Sequence, residues 1–150
     1  MSSSEQNDRF RISLPPGWDD QTVYHFKGPD EDGQEHKLML VVTRHLQYES
    51  VREFARSNTE PITSSFQSVE VLKDEEVTIG HGLPTWEFVY RWNLTDDMSI
   101  IEKRVFVIKD GLGFAFSISF SKKSYKTVGA GLDDVIDAIL PGSYNPVEEN

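Results

Sequence analysis

Cysteine is absent from the 150-residue chain. That excludes disulfides, Cys-ligated zinc, iron–sulfur clusters and thiol nucleophiles together. Basic residues are few: 15 Lys+Arg stand against 25 Asp+Glu, a formal net charge of −10. A nucleic-acid surface needs concentrated Lys/Arg to displace phosphate counterions, so that partner class is excluded. No apolar run approaches the roughly 20 residues of a membrane span, so no stable membrane insertion is expected. Residues Met1-Ser-Ser-Ser-Glu-Gln-Asn-Asp8 carry neither the basic flank nor the apolar stretch of a secretory signal. A cytoplasmic location is the expectation. The chain has the length of one domain, able to bury roughly 70% of its unfolded surface.

Turn chemistry and periodicity divide the chain. Residues 1–8 are too polar to offset ordering entropy and are expected to form a disordered tail, with a single domain over 9–142 and a flexible C-terminal tail over 143–150. Arg9-Phe-Arg-Ile-Ser-Leu14 alternates as a first strand and stops at Pro15-Pro16-Gly17. Thr22–Phe26 and Lys37–Arg44 read as the second and third strands, separated by the turn-rich Gly28-Pro-Asp-Glu-Asp-Gly33. Ser50-Val-Arg-Glu53 matches a capping box, after which Val51, Phe54, Ala55, Asn58 and Ile62 share a helical face. Pro61 is expected to kink or end that helix. Four strands come next, near 67–79, 85–95, 99–109 and 112–121, and a helical period returns from Ser124 to Leu140. The order is βββ-α-ββββ-α. Hairpin-length links favour an antiparallel sheet with flanking helices, an α+β domain.

Two aromatic ladders stand out: Trp86, Phe88, Tyr90, Trp92 and Phe114, Phe116, Ile118, Phe120. They are expected to share one face, covered by the C-terminal helix through Tyr125, Val128, Leu132, Val135, Ile136 and Ile139. The opposite face would then carry Thr85, Glu87, Val89, Arg91 with Ala115, Ser117, Ser119, Ser121, small and polar enough for something to approach the backbone. Trp18, in a turn after two prolines, is expected to cap one end of the core.

Catalytic templates fail one by one. His25, His36, His45 and His81 form no H-x-x-x-H or H-E-x-x-H pair, so no metal site is expected. There is no G-x-S-x-G elbow, no phosphate-binding loop, and Gly111-Leu-Gly113 is too short for a dinucleotide fingerprint. Asp30-Glu-Asp-Gly33 lacks the calcium-loop frame. Asp74-Glu-Glu76 and Asp133-Asp134 read as surface charge. The expectation is a protein that is not an enzyme and takes no cofactor.

Leu14-Pro-Pro-Gly-Trp-Asp-Asp-Gln-Thr-Val-Tyr-His-Phe26 resembles the opening L-P-x-G-W-x-D-x-[ST] block of the DcrB-like family, and within it the Eag chaperones of type VI secretion systems. Leu40-Val-Val-Thr-Arg44, Ile79-Gly-His81, Tyr90-Arg-Trp92 and Arg104-Val-Phe106 continue the likeness over about residues 9–140. The resemblance implies a PsbP-like fold and a cytoplasmic homodimer. Its partner would be an effector with transmembrane helices, kept soluble and loaded onto the secretion spike protein. It also implies a client-binding groove. Carried over position by position, the lining is Val23 and His25, Val41, Asn58 and Ile62 of the first helix, Phe66 just beyond it, and Ile100 and Arg104. His25 replaces an aliphatic residue and Arg104 a neutral Gln, which makes this groove more polar. The alternative reading is a PsbP-like protein-binding module whose partner is folded and more polar.

Overall fold

A computed structural model of the chain describes residues 14–18, 21–31, 34–44, 46–65, 69–78 and 82–139. Its elements are β1 (Gln21–Glu31), β2 (Gln34–Thr43), α1 (Val51–Ser65), β3 (Glu70–Thr78), β4 (Pro84–Thr95), β5 (Met98–Lys109), β6 (Leu112–Ser121), α2 (Lys122–Thr127) and α3 (Leu132–Ile139). The six strands make one antiparallel sheet in the order β1-β2-β6-β5-β4-β3. The α+β class expected from the hairpin-length links holds. The first expected strand, 9–14, lies outside the described residues except for Leu14, which is exposed coil. Both expected tails fall outside them too.

The hairpins set the register, and the register decides what is inside. Between β5 and β6 only Asp110 and Gly111 intervene, both at positive φ (54° and 77°), with Lys109 opposite Leu112. That is the two-residue Asp-Gly turn whose twist matches the flanking strands. Between β4 and β5 the loop is equally short, with Thr95 opposite Met98, but a bulge intervenes and Asn93 then faces Ser99. One extra residue turns the rest of β4 over. Trp86 therefore lies opposite Phe106 and Phe106 opposite Ala115, while Val107 lies opposite Phe114.

This corrects the expectation that the two aromatic ladders share a face. Trp86, Phe88 and Tyr90 pack with α1, whereas Phe116, Ile118 and Phe120 pack with Leu132 and Ile136 of α3. The sheet is thus sandwiched between helices. Thr85, Glu87 and Val89 are buried on the α3 side, not solvated beside Ser117 and Ser119. The sequence shows a two-residue loop but not a bulge, and without the bulge the parity of β4 comes out one residue wrong.

The helices depart from expectation in two places. α1 runs through Pro61 to Ser65. Pro61 itself is exposed, Ile62 beyond it is anchored at 7% exposure, and the Thr63 and Ser64 hydroxyls donate back to the Glu60 carbonyl. The cap at its start is half a capping box: the Ser50 hydroxyl accepts from the Glu53 N–H at 3.1 Å. The C-terminal helix is two, separated by a 3₁₀ turn at Gly129–Gly131. Gly129 is closely packed: a Cβ there would stand 3.2 Å from the Tyr125 ring, which would have to give by a few tenths of an ångström. A full Ser121/Ser124 capping box starts α2. Trp18 does not cap the core: its N–H closes a turn onto the Pro15 carbonyl and its side chain is 70% exposed.

Candidate functional site

Alternate residues on a strand point the same way, and rungs of the ladder carry that direction across the sheet. One rung runs Val23–Val41–Ala115–Phe106–Trp86, the next His25–Met39–Ser117–Arg104–Phe88, and Ile100 pairs with Ser121 and Trp92. Val23, His25, Val41, Ile100 and Arg104 therefore all lie on the face that α1 packs against. α1 covers the β4 and β5 part of it, where Phe54 meets the Phe106 ring edge-on at 5.6 Å. Over β1, β2 and β6 the same face is only partly covered. Val23 is 46% exposed, His25 is exposed, and Val41, Met39, Ala115 and Ser117 are half-buried.

The other sequence candidates divide. Asn58 is exposed on α1 and donates to the Phe54 carbonyl at 2.9 Å. Ile62 is buried in the core beneath α1 and so supports the wall from behind. Phe66 lies outside the described residues. Met39, Ala115, Ser117 and Glu102 also belong to this surface, although the resemblance does not carry them over as groove residues. Strand parity alone finds Met39 between Lys37 and Val41, and Glu102 two before Arg104. Ala115 and Ser117 stand out in the sequence as small, but without the bulge they are given the wrong companions.

The floor and wall have distinct chemistry. β6 presents Gly113, Ala115, Ser117, Ser119 and Ser121 on this side, a strip with no bulk. At Gly113 the strip is covered: a Cβ there would stand 2.8 Å from Leu46 Cδ1 and from Phe54 Cζ of α1. A polar cluster borders the strip: Arg104 Nε donates to Glu102 Oε2 at 2.7 Å, and both flank Tyr90. Burial first, then the Glu102 charge, pushes the Tyr90 hydroxyl up to about 12, so it stays a neutral hydrogen-bonding group. At the far side of α1, Asp74 accepts from Arg56 and from Trp86 Nε1, each at 2.6 Å, and Arg56 lies 5.5 Å over the Trp86 ring. Asp74 therefore fixes α1 to the sheet, correcting its expected role as plain surface charge.

The α3 side holds a different kind of polar group. Glu87 Oε1 and Oε2 bind Lys73 at 2.6 Å and Lys103 at 3.2 Å, and Lys103 reaches Asp133 of α3 at 3.5 Å. Glu87 and Lys103 are both buried. Burial, the largest influence, pushes the Glu87 carboxyl up, but the Lys73 hydrogen bond and the Lys103 charge together hold it below the ordinary range. A cleft of about 240 Å³ opens nearby between Phe26, Leu38, Ile118, Leu132 and Val135. Its cause is local: β2 and β6 pair only over Met39–Thr43 and Gly113–Ser117, so the β1–β2 turn end is not bonded to β6. Among the described residues no three His, Asp or Glu come together as metal ligands, and no helix is long and apolar enough to cross a membrane.

The fold so described is an antiparallel sheet with helices on both faces, more fully packed on the α3 side than on the α1 side. The chain belongs to the DcrB family, whose model matches residues 11–137. Its fold is similar to the crystal structure of PA94, a Pseudomonas aeruginosa protein of unknown function, at a TM-score of 0.67 and 13% identity, covering 89% of this chain and 92% of that one. Weaker likenesses are to CyanoP of Synechocystis sp. PCC 6803 (TM-score 0.48, 14% identity, 83% and 81% covered) and to LpqN of Mycobacterium tuberculosis, involved in cell envelope biogenesis (0.45, 8%, 77% and 80%). No curated protein sequence matches the chain.

Proposed function

We propose that the chain is a non-enzymatic chaperone that holds an apolar helical segment of a client protein against the open half of the α1 face. The observation that carries this is the match of size and chemistry. Three strands, β1, β2 and β6, make a floor roughly 10 Å across at the usual strand spacing. That is about the width of one α-helix with its side chains. The floor offers Val23, Met39, Val41 and Ala115, with small Ser117 in the middle and α1 as the side wall. A membrane helix left in water would aggregate, and a groove with small residues on its floor lets a helix approach the backbone closely.

The resemblance to Eag chaperones supports a particular client: the N-terminal transmembrane segment of a type VI secretion effector, held soluble in the cytoplasm until it is loaded onto the spike protein. The experiment is co-expression of the full chain with such a segment, followed by size-exclusion chromatography. Co-elution is expected for the native chain and is lost in Val41→Asp and Val23→Asp, with the thermal unfolding midpoint of each variant close to that of the parent. Normal capture by both variants overturns the groove.

The Arg104–Glu102 pair and exposed His25 favour a second reading, a folded partner with a polar surface. The two separate by what rescues a soluble complex. An apolar helix alone is sufficient for the first, while the second needs the folded partner and weakens steeply with salt.

A further inference from the structure

The cleft on the α3 side owes its space to a particular residue as well as to the short β2–β6 pairing. Gly28 lines it and brings no side chain. Its φ lies outside the left-handed region, and a Cβ there would meet only His36, at an ordinary 3.5 Å. A larger residue would fit that backbone and take up the space. The walls are Leu38 and Ile118 of the sheet and Leu132 of α3, all buried. Phe26 and Val135, 38% and 45% exposed, make an apolar rim. The polar side chains of the lining are Lys27 and His36. Lys27 Nζ is held by Glu35 at 2.9 Å, and Glu35 also binds Lys37 at 3.3 Å. The His36 ring is fully buried beside Phe120, the ring centroids 5.7 Å apart. The lining thus offers apolar contact and no uncommitted charge.

We propose that this cleft takes the hydrocarbon tail of a medium-chain amphiphile, whose polar head stays in water at the Phe26–Val135 rim. Volume sets the length. An apolar cavity of about 150 Å³ takes benzene. In proportion, the 240 Å³ here takes roughly nine or ten carbons. One Leu or Phe side chain from a partner protein would leave much of that space empty and forfeit contacts with the walls. A tail of the stated length fills it, and each methylene removed from water strengthens binding. With the Lys27 charge already matched, the head is held by nothing, so the site reads the tail and not the head. It lies on the opposite side of the sheet from Val23 and Val41, so tail binding and client capture fail separately.

The test titrates the full chain with hexanoate, octanoate, decanoate and dodecanoate below their micelle concentrations. Amide shifts at Leu38, Ile118 and Leu132 are followed by NMR. Affinity is expected to rise roughly tenfold for each two methylenes up to decanoate and then to level off. Decanoate, decanol and decyltrimethylammonium should bind within about tenfold of one another at physiological salt, where long-range charge is screened. Gly28→Leu fills the cleft and abolishes binding without lowering the unfolding midpoint. Val135→Asp sets a carboxylate on the apolar rim and weakens decanoate and decanol at least about tenfold. Affinities ranked by head and not by tail overturn the proposal, as does normal binding by both variants. Binding that survives Gly28→Leu but is lost in Val41→Asp puts the tail in the α1 groove and overturns it too. If no probe shifts those amides, the cleft takes no hydrocarbon tail.

Discussion

The two faces of the sheet solve the burial problem in opposite ways. The α3 face is filled from β2 to β4 with Leu38, Leu40, Phe116, Ile118, Phe120, Val105, Val107 and Val89, and the charge buried there is interlocked as the Lys73–Glu87–Lys103 group. The α1 face is filled only under the helix, by Phe54, Phe88, Phe106 and Ile62, and gives way on β6 to Gly113, Ala115 and Ser117. A single helix cannot cover six strands. Among the described residues no second helix completes the core on the α1 side; small side chains and half-exposed valines stand there. Both faces carry a buried core, but on the α1 side it stops at the edge of the helix.

That contrast can be broken from the closed side first. Phe120→Ala removes a fully buried ring that meets Tyr125 edge-on at 5.5 Å and is expected to cost about 4 kcal/mol, read by chemical denaturation. Glu87→Gln takes from buried Lys103 the nearer of its two carboxylates and leaves only the more distant Asp133, at a cost of about 3 kcal/mol. Its pH dependence has a sign. The Glu87 carboxyl is held below its unfolded value, so its contribution is present above the unfolded carboxylate range and is lost as pH falls through the folded value. The gap between parent and variant therefore narrows on acidification, and a gap that widens contradicts the ion-pair assignment.

On the α1 face the expected costs shrink. Gly113→Ala drives a methyl into Leu46 and Phe54 and costs about 1–2 kcal/mol. Smallest of all is Val23→Asp on the open floor, within about 0.5 kcal/mol in unfolding. It is nevertheless expected to abolish capture of an apolar segment. If Val23→Asp unfolded the chain as readily as Phe120→Ala, the floor would be core and not a groove.

Much of this architecture is legible in the sequence. Alternation and turn residues locate the six described strands, and Asp110-Gly111 announces its hairpin by a turn chemistry that suits two positive φ values. Val23 with His25, and Ile100 with Arg104, share a face because parity within a strand is reliable; the register is what brings the two pairs and Val41 to the same face. Parity between strands is not reliable: it depends on the bulge between Asn93 and Thr95, which leaves no mark in composition or period. Pro61 misleads because a buried Ile62 outweighs one missing hydrogen bond. Gly129 gives no signal, because a glycine packed against an aromatic ring looks, in sequence, like any other. Glu87 and Lys103 cannot be read as partners, since they stand far apart in the chain and only the β4–β5 register brings them together.

The β4 bulge has a bearing on how such a chain can change over generations. It works as a frame, in the sense that a codon has one: every position N-terminal to it on β4 takes its inward or outward meaning from that single extra residue. Substitutions along Trp86–Trp92 alter one side chain at a time, and drift can sample them. Loss of one residue near Leu94 would transpose the whole strand, sending Trp86, Phe88 and Tyr90 to the α3 side and Glu87 toward α1 in one step. The hairpin is therefore expected to be far more permissive to replacement than to a change of length, although it ends in an exposed loop, where insertions and deletions are ordinarily absorbed.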